Sequence, residues 1–120
     1  MKIAITAQGQ TLDDPMDPRF GRAPGFVIYD TETKENHYIE NIQNMQAAQG
    51  AGIQSGRSMA DAGVQAVLTG HVGPKAFTTL QAAGIKIYSG VKGTVRDAVE
   101  QFTAGKLEAT KGADVDGHWG

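Results

Sequence analysis

Two short stretches hold the residues with the greatest chemical reach. Asp17-Pro18-Arg19-Phe20-Gly21-Arg22 sets two guanidinium groups three residues apart around a glycine. Gly70-His71-Val72-Gly73-Pro74-Lys75 sets an imidazole and an ammonium on a second glycine-rich turn. Arginine presents a rigid fork of donors that matches phosphate, carboxylate or a larger multi-oxygen or multi-sulfur anion. Pro74 suits the first turn of a helix, where its missing N–H costs nothing, and the free N–H groups of that turn favour an anion. Gly70 and Gly73 allow positive φ and a close approach of the backbone to a ligand.

Plainer readings stand beside these. Arg19 and Arg22 can pair with Asp13, Asp14 or Asp17 and do no more than pin the loop. His71 can ligate a metal, donate to an anion or point into solvent. Lys75 can simply be solvated. Asp13, Asp14 and Asp17 read better as a solvated acidic loop than as a divalent-cation site. Met45, Gln46 and Gln49, and separately Phe20, Val72 and Phe77, offer a soft, polarizable wall to a sulfide-rich ligand or ordinary packing. Gly50-Ala51-Gly52 opens a glycine-rich run that superficially resembles a dinucleotide fingerprint, but it opens the helix before the parallel strand, in the wrong order. No Gly-x-x-x-x-Gly-Lys-Ser/Thr phosphate loop is present.

Composition narrows the chemistry further. Eleven basic and thirteen acidic side chains leave a net charge of −2, which argues against general nucleic-acid binding. Cysteine is absent, so no disulfide framework and no thiolate ligation of zinc or iron–sulfur clusters is available. Any metal centre must be held another way. Met1-Lys2-Ile3-Ala4-Ile5-Thr6-Ala7 enters a strand at once, without the apolar stretch of a signal peptide or membrane span, so a cytoplasmic protein with no membrane partner is expected. At 120 residues the chain is expected to form one domain and to be a monomer.

The elements that must position these residues follow from pattern. Lys2 to Ala7, Gly25 to Asp30 and Asn36 to Glu40 read as strands, the last two as a hairpin about Thr31 to Lys34. A helix from about Ala51 to Ala62, with Ile53, Met59 and Ala60 inward, precedes a buried strand from Val64 to Thr69. Helix Pro74 to Ala83, strand Ile85 to Ser89 and helix Thr94 to Ala104 complete the chain, with Thr94 as N-cap and Asp97 as its capping partner. The order predicts an α/β fold whose single mixed sheet of about five strands joins an antiparallel hairpin to parallel βαβ units. Its ligands would gather beyond the carboxyl ends of the parallel strands. There the loops Gln8 to Pro24, Gly70 to Gly73 and Ser89 to Gly93 are expected to meet, with Gln46 to Gly52 beside them. Residues 1–107 read as the binding domain and 108–120, with little but Val115 and Trp119 to bury, as a flexible tail. His37 on its strand and His118 in the tail have no evident partner.

Taken together, Phe20-Gly21-Arg22-Ala23 before Phe26-Val27-Ile28-Tyr29, Gly50-Ala51-Gly52, Val67-Leu68-Thr69-Gly70 with Val72-Gly73-Pro74, Ala83-Gly84-Ile85 and Gly105-Lys106-Leu107 resemble the dinitrogenase iron–molybdenum cofactor family. The resemblance runs from Ile3 to Leu107. It implies a ribonuclease-H-like mixed sheet flanked by helices, and a carrier of iron–molybdenum cofactor precursors. The cysteine-free composition, the Thr6-Ala7-Gln8-Gly9 start and Asp17-Pro18-Arg19 are similar to those members that carry a mixed molybdenum–copper sulfide cluster without covalent attachment. That likeness implies a sulfide-bridged, anionic cluster held by its surroundings rather than by thiolates, and assigns His71 no role of its own; the residue reading places the binding positions at Arg19, Phe20, Gly21, Arg22, Gly50, Gly52, Gly70, His71, Val72, Gly73 and Lys75. The likeness also implies protein partners that include deviant Walker-type ATPases.

Three functions follow as expectations. The first is non-enzymatic carriage or assembly of an anionic molybdenum-containing metal–sulfur cluster. The second is a regulatory interaction module without a cluster. The third is a nuclease, which needs several carboxylates around two metals and finds no acid on the first strand.

Overall fold

The computed structural model describes residues 1–45 and 50–112. Five strands, β1 (Lys2–Ala7), β2 (Gly25–Asp30), β3 (Asn36–Glu40), β4 (Ala66–Leu68) and β5 (Lys86–Tyr88), form one sheet in the order β3-β2-β1-β4-β5. β1 pairs antiparallel with β2 and parallel with β4; β2–β3 is antiparallel and β4–β5 parallel. The helices are α1 (Ile42–Met45), α2 (Ala51–Asp61), α3 (Pro74–Ala82) and α4 (Val95–Thr103). The expected mixed α/β architecture is therefore present, with the short α1 as an addition. Among the described residues no helix is long and apolar enough to cross a membrane.

β1 occupies the centre and is buried on both faces from Ile3 to Ala7, which is why its sequence carries almost no polar side chains. Ala4, Phe26, Ile28, Val67 and Ile87 point to one side, where they pack with Met59, Ala76 and Leu80 of α2 and α3. Ile3, Ile5, Ala7, Val27, Ala66 and Leu68 point to the other, against Val95, Ala98 and Val99 of α4. α2 and α3 cross closely: a Cβ on Gly56 would lie 2.8 Å from Thr79 Cγ2. This crossing turns Ala51, Gly52, Ser55, Gly56 and Met59 inward. Of the three positions expected inward, Met59 is buried, Ile53 is half-buried and Ala60 faces solvent. The face of α2 is set by its small residues, which a search for bulky apolar spacing passes over.

β4 and β5 are each three residues long, shorter than expected at both ends. The reason at their starts is local. α2 and α3 each end in a glycine with left-handed φ, Gly63 at 74° and Gly84 at 75°. In this geometry the next N–H turns back to the helix: Val64 N donates to Met59 O at 3.2 Å and Ile85 N to Leu80 O at 3.0 Å. Val64 and Ile85 therefore spend their donors on helix termination. At the far edge of the sheet Thr110 N donates to Ile87 O at 2.7 Å, and the Thr110 hydroxyl accepts from Ser89 N at 2.8 Å. The segment after α4 is thus tied to β5. Residues 113–120, with Val115, His118 and Trp119, lie outside the described residues.

Candidate functional site

The loop from Gln8 to Pro24 lies across the carboxyl ends of β1 and β4, and its two halves have different tasks. In the first half, Asp14 accepts from Thr11 N at 2.9 Å and from Thr11 Oγ1 at 2.8 Å, which holds its carboxyl below the usual range. Leu12 O and Asp14 O accept the first N–H groups of α4, from Arg96 at 2.7 Å and Val95 at 3.0 Å. Asp13 meets Arg96 Nε at 3.0 Å, and this hydrogen bond raises the Arg96 pKa. The acids of the loop are therefore engaged in building it. Among the described residues no group of three or more His, Cys, Asp or Glu side chains is placed to hold a metal ion.

The second half of the loop meets the glycine turn after β4. Arg19 and His71 form a parallel β-bridge, with Phe20 N donating to His71 O at 3.2 Å and His71 N to Pro18 O at 2.7 Å. Gly70 lies so close to Pro18 that a Cβ there would sit 2.7 Å from Pro18 O and 2.9 Å from Pro18 Cα. This corrects the expected role of the two glycines. Gly70 is outside the left-handed region and admits the neighbouring loop rather than a ligand. Gly73 has φ −81° and ψ 169°, an extended conformation open to any residue, and serves as N-cap of α3. The Ser89 to Gly93 loop joins as expected: Gly90 N donates to Gly70 O at 2.8 Å, Val91 N to Thr69 O at 3.1 Å, and Met16 N to Gly93 O at 3.0 Å.

Side chains at this edge divide by burial. Phe20 and Val72 are fully buried in the core and fasten their loops from beneath. Gly21 is buried as well, Arg22 and His71 are half-buried, Lys75 is exposed, and the Arg19 side chain is 45% exposed. Gly50 caps α2 with φ 76° and Gly52 is buried within its first turn. Neither α2 nor α3 has a side-chain cap or an acid in its first turn. Phe77 is half-buried in α3. Gln46 and Gln49 lie outside the described residues, as does the side chain of Met45.

Several residues join these pieces, of which Asn41, Ser55 and Thr69 carry no site signal in sequence, while Asp17 is the acid expected as an Arg19 partner. The buried Asn41 Nδ2 donates to Ala23 O at 2.9 Å, and its Oδ1 accepts from Ser55 Oγ of α2 at 3.1 Å, which lashes α2 to the arginine loop. The Thr6 and Thr69 hydroxyls, 3.0 Å apart at the ends of β1 and β4, reach the loop through Thr6 Oγ1, which donates to Asp17 O at 2.7 Å. Asp17 Oδ1 accepts from Arg19 N at 2.9 Å. Asp before Pro is a turn signal in sequence; lone buried Asn, Ser and Thr give no periodic one.

The assembled edge carries the half-exposed Arg19 bridged to the turn that leads into α3; the sequence supplies no thiolate, and among the described residues no group of carboxylates is placed to cage a metal. Residues 1–105 match the family described as dinitrogenase iron-molybdenum cofactor. The chain belongs to this dinitrogenase iron–molybdenum cofactor family. Its fold matches that of the apo form of the orange protein from Desulfovibrio gigas, with TM-score 0.93, 45% identity, and 95% of this chain and 96% of that one covered. A NifB-like protein from Thermotoga superposes with TM-score 0.81 at 36% identity, over 95% of this chain and 98% of the other. An uncharacterized protein of Methanocaldococcus jannaschii is 32% identical over 110 residues, 90% of each chain. For a dinitrogenase iron–molybdenum cofactor family chain without cysteine, the edge carrying Arg19 and His71 is the candidate site.

Proposed function

We propose that this protein binds and carries an anionic, molybdenum-containing metal–sulfur cluster without covalent attachment, within residues 1–107 and at the edge where the loop of Arg19 meets the turn of His71. One observation carries the reading. The Arg19–His71 bridge sets a half-exposed guanidinium beside a turn that runs directly into a helix with no side-chain cap. A polyanion with sulfide or oxide at its surface is suited by such a combination of a fork of donors and backbone N–H groups. The family match and the orange protein's 45% identity support cluster binding over a plain interaction module. We infer a molybdenum–copper sulfide as cargo, with an iron–molybdenum cofactor precursor as the second candidate. Arg22, Lys75, Gly50 and Gly52 complete the proposed wall, and partner proteins such as deviant Walker-type ATPases would receive or deliver the cluster.

Mixing the apo-protein with tetrathiomolybdate and copper tests this. A visible chromophore that elutes with the protein is expected. A cluster that forms equally well without protein and elutes apart from it would remove the proposal.

A further inference from the structure

We propose that Asp17 is a positioning residue that holds the Arg19 guanidinium by one edge and thereby aims the other edge at the cargo, an inference that rests on the cluster-binding reading above. Asp17 is only 3% exposed. A buried carboxylate is costly unless it is paired and hydrogen-bonded, so its partners are informative. Both main-chain groups of Asp17 are fixed to the end of the central strand: its N donates to Thr6 O at 3.0 Å and its O accepts from Thr6 Oγ1 at 2.7 Å. The backbone of the residue is therefore fixed, and its carboxylate is placed by the two contacts it makes with Arg19.

Its side chain points along the chain to Arg19. Oδ1 accepts from Arg19 N at 2.9 Å and stands 3.5 Å from Arg19 Nε. The ion pair engages the Nε edge of the guanidinium, and the terminal nitrogens remain on a side chain that is 45% exposed. The segment between is clamped from the opposite side, where His71 N donates to Pro18 O at 2.7 Å and Gly70 packs against the Pro18 backbone. A long arginine side chain loses substantial rotamer entropy when it binds. Holding it in advance at backbone and Nε lowers that cost at the moment of binding. A neighbouring acid that only neutralised Arg19 would weaken the site. An acid that orients it strengthens the site despite its charge.

The two roles predict opposite signs. Asp17→Asn keeps an oxygen able to accept from Arg19 N but removes the negative charge that holds Nε. Electrostatics alone would make this variant bind the tetrathiomolybdate–copper cluster more tightly. Positioning predicts weaker binding, by about tenfold, the size usual when the residue that orients a ligating group is lost. It also predicts that Asp17→Asn has no further effect in the Arg19→Ala background. Nitrogen relaxation at Arg19 Nε in the apo-protein supplies a readout that needs no cluster: an ordered signal in the wild type and a mobile one in Asp17→Asn. Equal or tighter cluster binding by a folded Asp17→Asn, or an Arg19 Nε equally mobile in both proteins, overturns the proposal. A wild type that binds no cluster yet shows Arg19 order lost in Asp17→Asn leaves the positioning role standing and removes the cargo.

Discussion

The amino termini of α3 and α4 sit at the same edge of the sheet and are finished in opposite ways. At α4 each early donor is engaged. Thr94 Oγ1 accepts from Asp97 N at 3.1 Å, Asp97 Oδ2 accepts from Thr94 N at 3.0 Å, and Leu12 O and Asp14 O take Arg96 N and Val95 N. At α3 the N-cap is a glycine, the first position is proline, and no side chain caps the turn or brings an acid to it. The difference separates a helix end capped by the fold from one with no side-chain cap, the end assigned to an anion in the function proposed above. One loop serves both: its carbonyls at Leu12 and Asp14 close α4, and Arg19 bridges to the turn that leads to α3.

The largest expected effect breaks the open end outright. Gly70→Ala forces a methyl group into the Pro18 backbone, and should cost about 2–3 kcal/mol in thermal or denaturant unfolding, near the upper range for overpacking, with cluster binding lost in the same variant. Arg19→Ala should cost about 1–2 kcal/mol in unfolding, because the buried Asp17 carboxylate keeps the backbone N–H of residue 19 but loses its cation. In cluster binding it should cost about 1.5–3 kcal/mol by titration, the worth of hydrogen bonds to a charged partner. Unchanged binding in that variant would move the site elsewhere. Lys75→Glu makes α3 resemble α4 by adding an acid to its first turn. The folded state should gain about 0.3–1 kcal/mol from the helix dipole, while cluster binding weakens.

At the closed end the effects are smaller and confined to stability. Thr94→Ala should lower unfolding free energy by about 1 kcal/mol through loss of the cap, with cluster binding unaltered. The least effect concerns acid. Asp14 has a folded pKa lowered below 3.8, so its contribution is present above that value and lost as pH falls through the lower folded one. Melting curves between pH 5 and pH 3 should fall slightly less steeply for Asp14→Asn than for wild type.

Much of this contrast was legible in the chain. Thr94 with Asp97 is a spacing that serves only one purpose at a helix start, and Gly73-Pro74 marks the other start as plainly. The mixed sheet followed from strand and helix order, because parallel strands need crossovers and hairpins do not. What stayed hidden depended on contacts between segments far apart in sequence. Gly70 reads in sequence as a ligand-facing glycine, but the Pro18 backbone occupies that space. For Phe20 and Val72 the sequence leaves a site wall and ordinary packing both open, since an apolar residue in a loop gives no sign of which way it turns, and both are core. Ala60 faces outward because Gly56, small enough to admit α3, and Ser55, bonded to Asn41, decide which side of α2 is buried.

The central place of β1 bears on how the protein comes into being. Its neighbours are β2, close in sequence, and β4, joined to it across a separation of 63 residues at Thr6 and Thr69. The β1–β2–β3 meander can pair as soon as it is synthesised, but its helix-covered faces stay bare until α2, α3 and α4 arrive. Contacts of such long range are slow to close and are made late. Arg19 emerges with the early half of the chain and His71 with the later one. A half-finished chain would therefore present Arg19 on its Asp17 tether with nothing opposite it.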